Sequence, residues 1–445
     1  MALRDLIYRC PSCGSFEIEG DRRRVSCAQC ETEVRRDAAG RGLLRLVKER
    51  PHVAKWVSAA TLVDEIERLG GPSRVDLSAK GIEEARVRLS FASGQGTPLR
   101  FKGDLLGFIE RFRPTQEGVL RLDRDSIWFE PDPEKSSRSE VLQTPLLEMK
   151  ALQTSSKALQ WVGQGDRVFL VRFIEDSPRR WDDCLKHAVR SAWARAERGE
   201  ILEFQPRIRG TGSESSPGPR SQPVAAWARS HDPRGAQPFP EQVYRGAKSI
   251  ARTLLGRWAQ IEVKGLEHIP ASGPFLLLPN HQSALDPLLV QGYCPRLVRS
   301  MTKSTQFGGA FMGFLLPRLG AFPVRRFRVD PQAVRSVLKR LYEGSGVCIY
   351  PEGERTWDGR LQPFRRGTLR LALRVSDQGI PVIPVGISGM FEAWPRWGGP
   401  FRSGGQVLLS FGEPLRVPSA SPPEARIDLI ETELERAIQS LLLKK

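Results

Sequence analysis

Two small groups of residues in this 445-residue chain have types and spacing suited to chemistry. The first is His281 with Asp286, inside the run Pro-Asn-His-Gln-Ser-Ala-Leu-Asp-Pro at 279–287. On a regular helix five positions span about 500° of rotation, which puts the two side chains on different faces. A working pair therefore requires a turn. Pro287 favours one, because it biases Asp286 away from the helical region and suits a first helical position, making Asp286 a natural N-cap. In such a turn the carboxylate reaches the imidazole Nδ1–H, fixes the tautomer and leaves Nε2 as a general base. The second group is Cys10, Cys13, Cys27 and Cys30, a C-x2-C-x13-C-x2-C pattern. Each C-x2-C turn aims two thiolates at one centre, and two turns supply the four ligands of a tetrahedral zinc. This is the layout of a zinc ribbon, with a structural zinc stapling a unit too small for its own core. A ribbon that also touches a partner, through Arg22, Arg23 and Arg24 at its hairpin tip, is the lesser reading. Cys184, Cys294 and Cys348 show no pairing pattern and read as core residues.

These residues need a scaffold. Phe275–Leu278 directly before the histidine is a short all-apolar run, the mark of a parallel strand buried on both faces. A helix is expected over 242–259, with Val243, Tyr244, Ala247, Ile250, Ala251, Leu254, Leu255 and Trp258 on one stripe and Arg245, Lys248, Arg252 and Arg257 mostly off it. Such a basic amphipathic helix suits either a membrane interface or packing on the domain behind it. Nearer the N-terminus, residues 54–69 carry apolar side chains at helical spacing and stop at Gly70-Gly71. From Ala85 to Phe173 the pattern becomes short alternating runs separated by turn residues. They read as antiparallel strands at 85–91, 99–102, 106–112, 118–122, 127–130, 147–152, 158–162 and 167–173, closed by a helix from Ser177-Pro178 to about Arg198. Residues 205–240 are dense in Pro, Gly, Ser and Arg and read as a flexible linker.

Composition narrows the partners. Lys and Arg number 68 against 51 Asp and Glu, a net charge of +17, and the 40% hydrophobic fraction rules out wholesale disorder. From Glu241 onward there are 28 Lys and Arg against 17 Asp and Glu, so the basic excess concentrates in the C-terminal half. That charge points to an anionic partner: nucleic acid, phospholipid headgroups or a phosphorylated substrate. Nucleic acid ranks last, since the ribbon offers only Tyr8 and Phe16 for stacking. No apolar run approaches the roughly 18–20 residues that span a bilayer, and no secretory signal is expected.

The block around His281 and Asp286 resembles the glycerolipid acyltransferase family, specifically the 1-acyl-glycerol-3-phosphate acyltransferases, whose signature is N-H-x4-D followed by three further blocks in fixed order. The second block resembles Gly-Ala-Phe-Pro-Val-Arg-Arg at 320–326, placing Arg326 at the family's phosphate-binding arginine, and Arg325 where Asp is frequent. Lys303 matches a basic residue that helps hold the acceptor phosphate. The third resembles Tyr-Pro-Glu-Gly-Glu-Arg-Thr at 350–356, matching at Pro351, Glu352, Gly353 and Arg355. Glu354 departs from the usual small hydroxyl residue and adds a carboxylate near the acceptor. The fourth looks like the apolar strand 380–387, and Phe364-Arg365-Arg366-Gly367 resembles a basic turn of the family. The resemblance covers about 262–411. It implies an α/β domain in which His281 deprotonates an acceptor hydroxyl that attacks an acyl thioester, Asp286 stabilises the imidazolium, and Lys303, Arg326 and Arg355 clamp the acceptor phosphate. Glu352 either accepts from a glycerol hydroxyl or positions the arginines, and Gly353 completes the substrate-binding set. The donor is acyl-coenzyme A or acyl-carrier protein. The strands and helix over 98–198 resemble the pleckstrin-homology and GRAM fold.

The expected organisation is multidomain: a small zinc ribbon over 1–45, a helical or mixed connection over 46–97, a mostly antiparallel β domain with a C-terminal helix over 98–200, a linker over 201–240, and an α/β acyltransferase domain over 241–445. The expected activity is acyl transfer to a lysophospholipid at the phospholipid membrane surface, by a cytoplasmic protein peripheral on the inner face. Another lysolipid or amine acceptor, or a non-catalytic lipid-binding adaptor, stands as the alternative.

Overall fold

The computed structural model of the chain describes residues 3–21, 23–36, 43–47, 53–69, 83–92, 96–101, 103–112, 115–135, 141–155, 158–211, 241–397, 405–416 and 423–443. An antiparallel sheet opens the chain, its five strands Ile18–Gly20, Arg24–Cys27, Glu33–Arg36, Leu43–Val47 and Val53–Val57 lying in chain order. It extends well past residue 45. The helix expected over 54–69 is shorter for the same reason. Val53–Val57 pairs with Leu43–Val47, and the helix Ala59–Arg68 starts only after Ser58, whose hydroxyl accepts from the Thr61 N–H at 3.0 Å. The Gly70-Gly71 stop and Arg22 lie outside the described residues.

Seven antiparallel strands form the second sheet, in the order Leu142–Pro145, Ser126–Pro131, Gln116–Leu122, Glu83–Ala92, Val168–Phe173, Ala158–Val162, Ala151–Ser155. Its first and last strands in sequence, Glu83–Ala92 and Val168–Phe173, are neighbours. The region 46–97, expected as a helical or mixed connection, is thus divided between two sheets. The helix Pro178–Arg195 buries Trp181, Cys184, Leu185, Ala188, Val189 and Ala192 in the core of this domain.

Three expectations change here. Residues 147–152 are not one strand: a 3-10 turn at Leu146–Glu148 precedes the strand Ala151–Ser155. Among the described residues the strands Thr97–Phe101 and Asp104–Ile109 pair only with each other and leave the seven-stranded sheet. A two-stranded ribbon cannot bury its apolar face alone, and this one covers it on the C-terminal domain. There Leu106 enters the core, while Gln332 Nε2 donates to Leu105 O and Ser336 Oγ to Leu106 O, each at 3.1 Å. Finally, 201–211 is structured, because Ile201 and Phe204 provide enough apolar surface to join the middle core. The rest of the expected linker lies outside the described residues.

The C-terminal domain is built on a third sheet, ordered Gln260–Lys264, Gln406–Phe411, Val382–Ser388, Phe275–Pro279, Gly346–Cys348, Val298–Lys303, Phe322–Val324. All neighbours are parallel except Val382–Ser388 with Gln406–Phe411. Phe275 and Leu277 pack with the helices Glu241–Trp258 and Asp286–Tyr293. Leu276 and Leu278 pack with Pro331–Tyr342, Arg366–Ser376 and Pro423–Leu441. Covering both faces is what allows the uninterrupted apolar run before His281. The stripe of the helix Glu241–Trp258 splits: Tyr244, Ala251, Leu255 and Trp258 are buried, while Ile250 and Leu254 are exposed at 63% and 61%. No helix among the described residues is long and apolar enough to cross a membrane.

Candidate active site

Four strand ends of the parallel sheet converge at its carboxyl edge, the usual ligand edge of such sheets. Phe275–Pro279 leads to His281, Val298–Lys303 ends on Lys303, Phe322–Val324 leads to Arg326, and Gly346–Cys348 leads to Glu352. The turn holding His281 is anchored on both sides. Asn280 exchanges two bonds with the backbone of Ile387, donating from Nδ2 to its carbonyl at 3.0 Å and accepting its N–H at Oδ1 at 2.7 Å. Glu352 Oε1 accepts the His281 N–H at 2.6 Å and Glu352 Oε2 the Gln362 N–H at 2.9 Å. The His281 carbonyl accepts the Thr356 N–H at 2.9 Å. Both oxygens of Glu352 therefore serve backbone donors and tie the histidine turn to the 350–362 loop. Burial pushes the Glu352 carboxyl well above its usual range.

His281 and Asp286 meet as the sequence requires. Nδ1 of His281 lies 2.8 Å from Asp286 Oδ2, which also accepts the N–H groups of Gln282 and Ser283 at 2.7 Å each. Asp286 is itself the first residue of its helix, so its carboxylate does not cap that helix. It turns back instead onto the donors of the preceding turn, which outcompete the capping geometry by offering three bonds to one oxygen. The ring of His281 stacks on Tyr350 with centroids 4.0 Å apart. Burial lowers the imidazole pKa below its ordinary value; Asp286 opposes that, while Arg355 and Arg326 add to it. A neutral imidazole with Nδ1 engaged and Nε2 available is the form a general base needs.

Beside this pair lies a cationic cluster in which Lys303 is buried and Arg326 and Arg355 are half-buried. Burial, then the charges of Arg326 and Arg396, press the Lys303 ammonium down to about 7. Burial brings Arg326 and Arg355 each to about 10. Glu354, the unexpected carboxylate, is pushed up by burial, yet Arg396 and Arg365 outweigh that and hold it at about 2. It pairs with Arg396 Nη1 at 2.8 Å and Arg365 Nη2 at 3.2 Å. Glu354 is thus absorbed by cations of its own domain. Gly353 has φ of 73°, which favours glycine, and a Cβ there would meet the Arg365 side chain at 3.1 Å. Arg325 points elsewhere: its Nε donates to Asp330 at 3.3 Å and its guanidinium lies over the Phe108 ring.

The sequence reading missed Arg396 and the middle domain's presence at this site. Arg396 lies between Trp394-Pro395 and Trp397, an aromatic frame that is the only local sign of it. It stacks on Trp357 with 4.1 Å from Cζ to the ring centroid, donates to Arg355 O at 2.7 Å, and donates to Thr154 O on a middle-domain strand. Lys303 Nζ donates to Gln160 Oε1 at 2.7 Å, and Gln205 Nε2 to Glu354 Oε1 at 3.1 Å. Partners 143 and 149 residues away leave no trace in local pattern.

The four N-terminal cysteine sulfurs lie within 4.8 Å of one another, with Cys10–Cys30 at 3.5 Å and Cys13–Cys27 at 3.6 Å. Tetrahedral zinc with bonds of about 2.3 Å spaces its sulfurs by about 3.8 Å. The four residues fit such an ion. Their domain does not stand alone, since its apolar core includes Phe391 and Trp397 of the C-terminal domain.

Residues 260–388 match the Acyltransferase family. The chain is 31% identical over 174 residues to the chloroplastic 1-acyl-sn-glycerol-3-phosphate acyltransferase BAT2 of Brassica napus, covering 38% of this chain and 46% of that protein. It is 27% identical over 203 residues to the 1-acyl-sn-glycerol-3-phosphate acyltransferase of Bacillus subtilis (strain 168), covering 45% of this chain and 96% of that protein. A solved structure of the 1-acyl-sn-glycerophosphate acyltransferase from Thermotoga maritima aligns over 49% of this chain and 87% of its own, at 22% identity and a TM-score of 0.37. The chain spans about half the length of the plant relatives it matches.

Proposed function

We propose that this chain, which carries an acyltransferase-family domain over 260–388, moves a fatty acyl group from an acyl thioester to the free hydroxyl of a lysophospholipid. The acceptor favoured is 1-acyl-glycerol-3-phosphate, giving phosphatidic acid. The observation that carries the reading is the His281–Asp286 pair beside buried Lys303 and half-buried Arg326 and Arg355. His281 Nε2 takes the proton of the acceptor hydroxyl as its oxygen attacks the thioester carbonyl. Asp286 stabilises the imidazolium. The tetrahedral intermediate collapses by breaking the carbon–sulfur bond, and the thiolate leaves with the proton His281 held. The cationic cluster neutralises the acceptor phosphate and fixes its hydroxyl against the base.

Zinc is the ion proposed for the four cysteines, with a structural role, since all four ligand positions are filled by protein. The middle domain is read as pleckstrin-homology or GRAM-like, supported by its seven-strand order and closing helix. Exposed Ile250 and Leu254, with Phe311 and Phe314 at 73% and 57%, support contact with a phospholipid surface. The test is acyl transfer from acyl-coenzyme A and acyl-carrier protein to a panel of lysolipids presented with vesicles, wild type beside His281→Ala. Transfer to lysophosphatidic acid that disappears in the variant is expected. Silence across all donors and acceptors from folded protein would refute the reading in favour of a lipid-binding adaptor.

A further inference from the structure

Gln160 lies on the middle-domain strand Ala158–Val162 and is fully buried. Its Oε1 accepts from Lys303 Nζ at 2.7 Å and from Gln153 Nε2 at 3.3 Å. In its protonated form Lys303 only donates, and it then fixes which end of the amide faces it. The other end, Gln160 Nε2, is buried with no hydrogen-bond partner among the described residues, as is Gln153 Oε1 beside it. A buried polar group left without a partner is costly in folded proteins, and this one leaves an amide donor open beside Lys303. Covalent geometry keeps Nε2 within about 5 Å of the Lys303 ammonium, close enough for the oxygens of one phosphate to meet both.

Resting on the acyl-transfer reading above, we propose that the middle domain completes the acceptor pocket, with the Gln160 carboxamide donating from Nε2 directly to the acceptor's phosphate monoester beside Lys303. Gln160 Oε1 occupies Lys303 until the acceptor arrives. The phosphate then takes over the ammonium and gains the amide N–H. The strand Ala158–Val162, buried along its whole length, covers this side of the cluster, as does Thr154, whose carbonyl is held by buried Arg396. On this proposal the pocket takes a phosphate monoester beside Lys303, and the buried strand disfavours any group esterified to that phosphate. Acceptor choice is therefore set by two domains: the C-terminal one supplies the base and the cations, and the middle one supplies an amide and a steric limit.

The experiment compares full-length wild type with Gln160→Ala and the volume-keeping Gln160→Met. Initial rates are measured against lysophosphatidic acid, a phosphomonoester, and lysophosphatidylglycerol, a phosphodiester. For both variants the KM for lysophosphatidic acid rises at least about tenfold, in line with losing a hydrogen bond to a charged group, while the KM for the acyl donor stays within about twofold. Gln160→Ala also narrows the preference for the monoester over the diester. Unchanged acceptor KM in both variants, or equal rises for donor and acceptor, would overturn the assignment while leaving the acyl-transfer reading intact. A wild type that transfers to no lysolipid refutes that reading instead. The phosphate contact is then decided by thermal melting with inorganic phosphate: stabilisation of wild type that is lost in Gln160→Met supports it, and equal stabilisation of both overturns it.

Discussion

Replacing Asp286 by Asn isolates the charge behind the proposed base. Among the described residues all three bonds to the carboxylate converge on Oδ2, and Oδ1 is buried with no hydrogen-bond partner. An asparagine can therefore place its carbonyl oxygen where Oδ2 sits and keep every bond, with its amide nitrogen taking the Oδ1 position. What disappears is the negative charge opposite the imidazolium that forms as His281 takes the proton. Two unit charges about 4 Å apart at an effective dielectric of about 20 interact by about 4 kcal/mol. At 1.36 kcal/mol per decade, that corresponds to roughly a thousandfold loss of kcat. Acceptor KM should move little, because the ground state holds a neutral imidazole. The assay is release of free thiol from acyl-coenzyme A with saturating acceptor, beside a thermal melt that establishes folding. A folded Asp286→Asn enzyme retaining more than about a tenth of wild-type kcat would refute the argument that this carboxylate stabilises a transient imidazolium.

Lys303, pressed to about 7 by burial, loses its proton in the free enzyme as pH rises through neutrality. The kcat/KM for the acceptor should accordingly fall above about pH 7, with a limb that moves up by at least about two units in Lys303→Arg; a flat profile to pH 9 contradicts it. Between that value and the ordinary 10.5 the unfolded chain holds a proton the native state has released, so this group makes stability rise with pH across the window, as pH-dependent denaturant titrations would register. Arg326→Ala should raise acceptor KM about 10- to 100-fold, at about 1.5–3 kcal/mol for a charge-assisted bond, with Arg326→Lys recovering only part because the bidentate fork is lost. Cys27→Ser should abolish one equivalent of zinc measured by atomic emission and lower the melting temperature. It should lower kcat as well, because the ribbon core shares Phe391 and Trp397 with the C-terminal domain; zinc-free wild type melting unchanged would count against a structural ion.

What the sequence determined by itself was local chemistry. The five-residue interval between His281 and Asp286 demands a turn, Pro287 favours one, and the two C-x2-C pairs can serve one ion, because backbone geometry constrains side chains this close in the chain. The apolar run at Phe275–Leu278 likewise announced a strand covered on both faces. Tertiary structure decided everything that depends on who packs against whom. It turned Asp286 from a cap into the acceptor of three bonds, and gave Glu352 to the backbone of His281 and Gln362. It neutralised Glu354 with Arg396 and Arg365, and moved the hairpin at 97–109 from one sheet onto another domain. It brought Gln160 to Lys303 across 143 residues. Alternation and spacing report only that a face is buried. The partner that buries it is selected by the free energy of the whole chain, in which contacts between distant segments weigh as much as local ones.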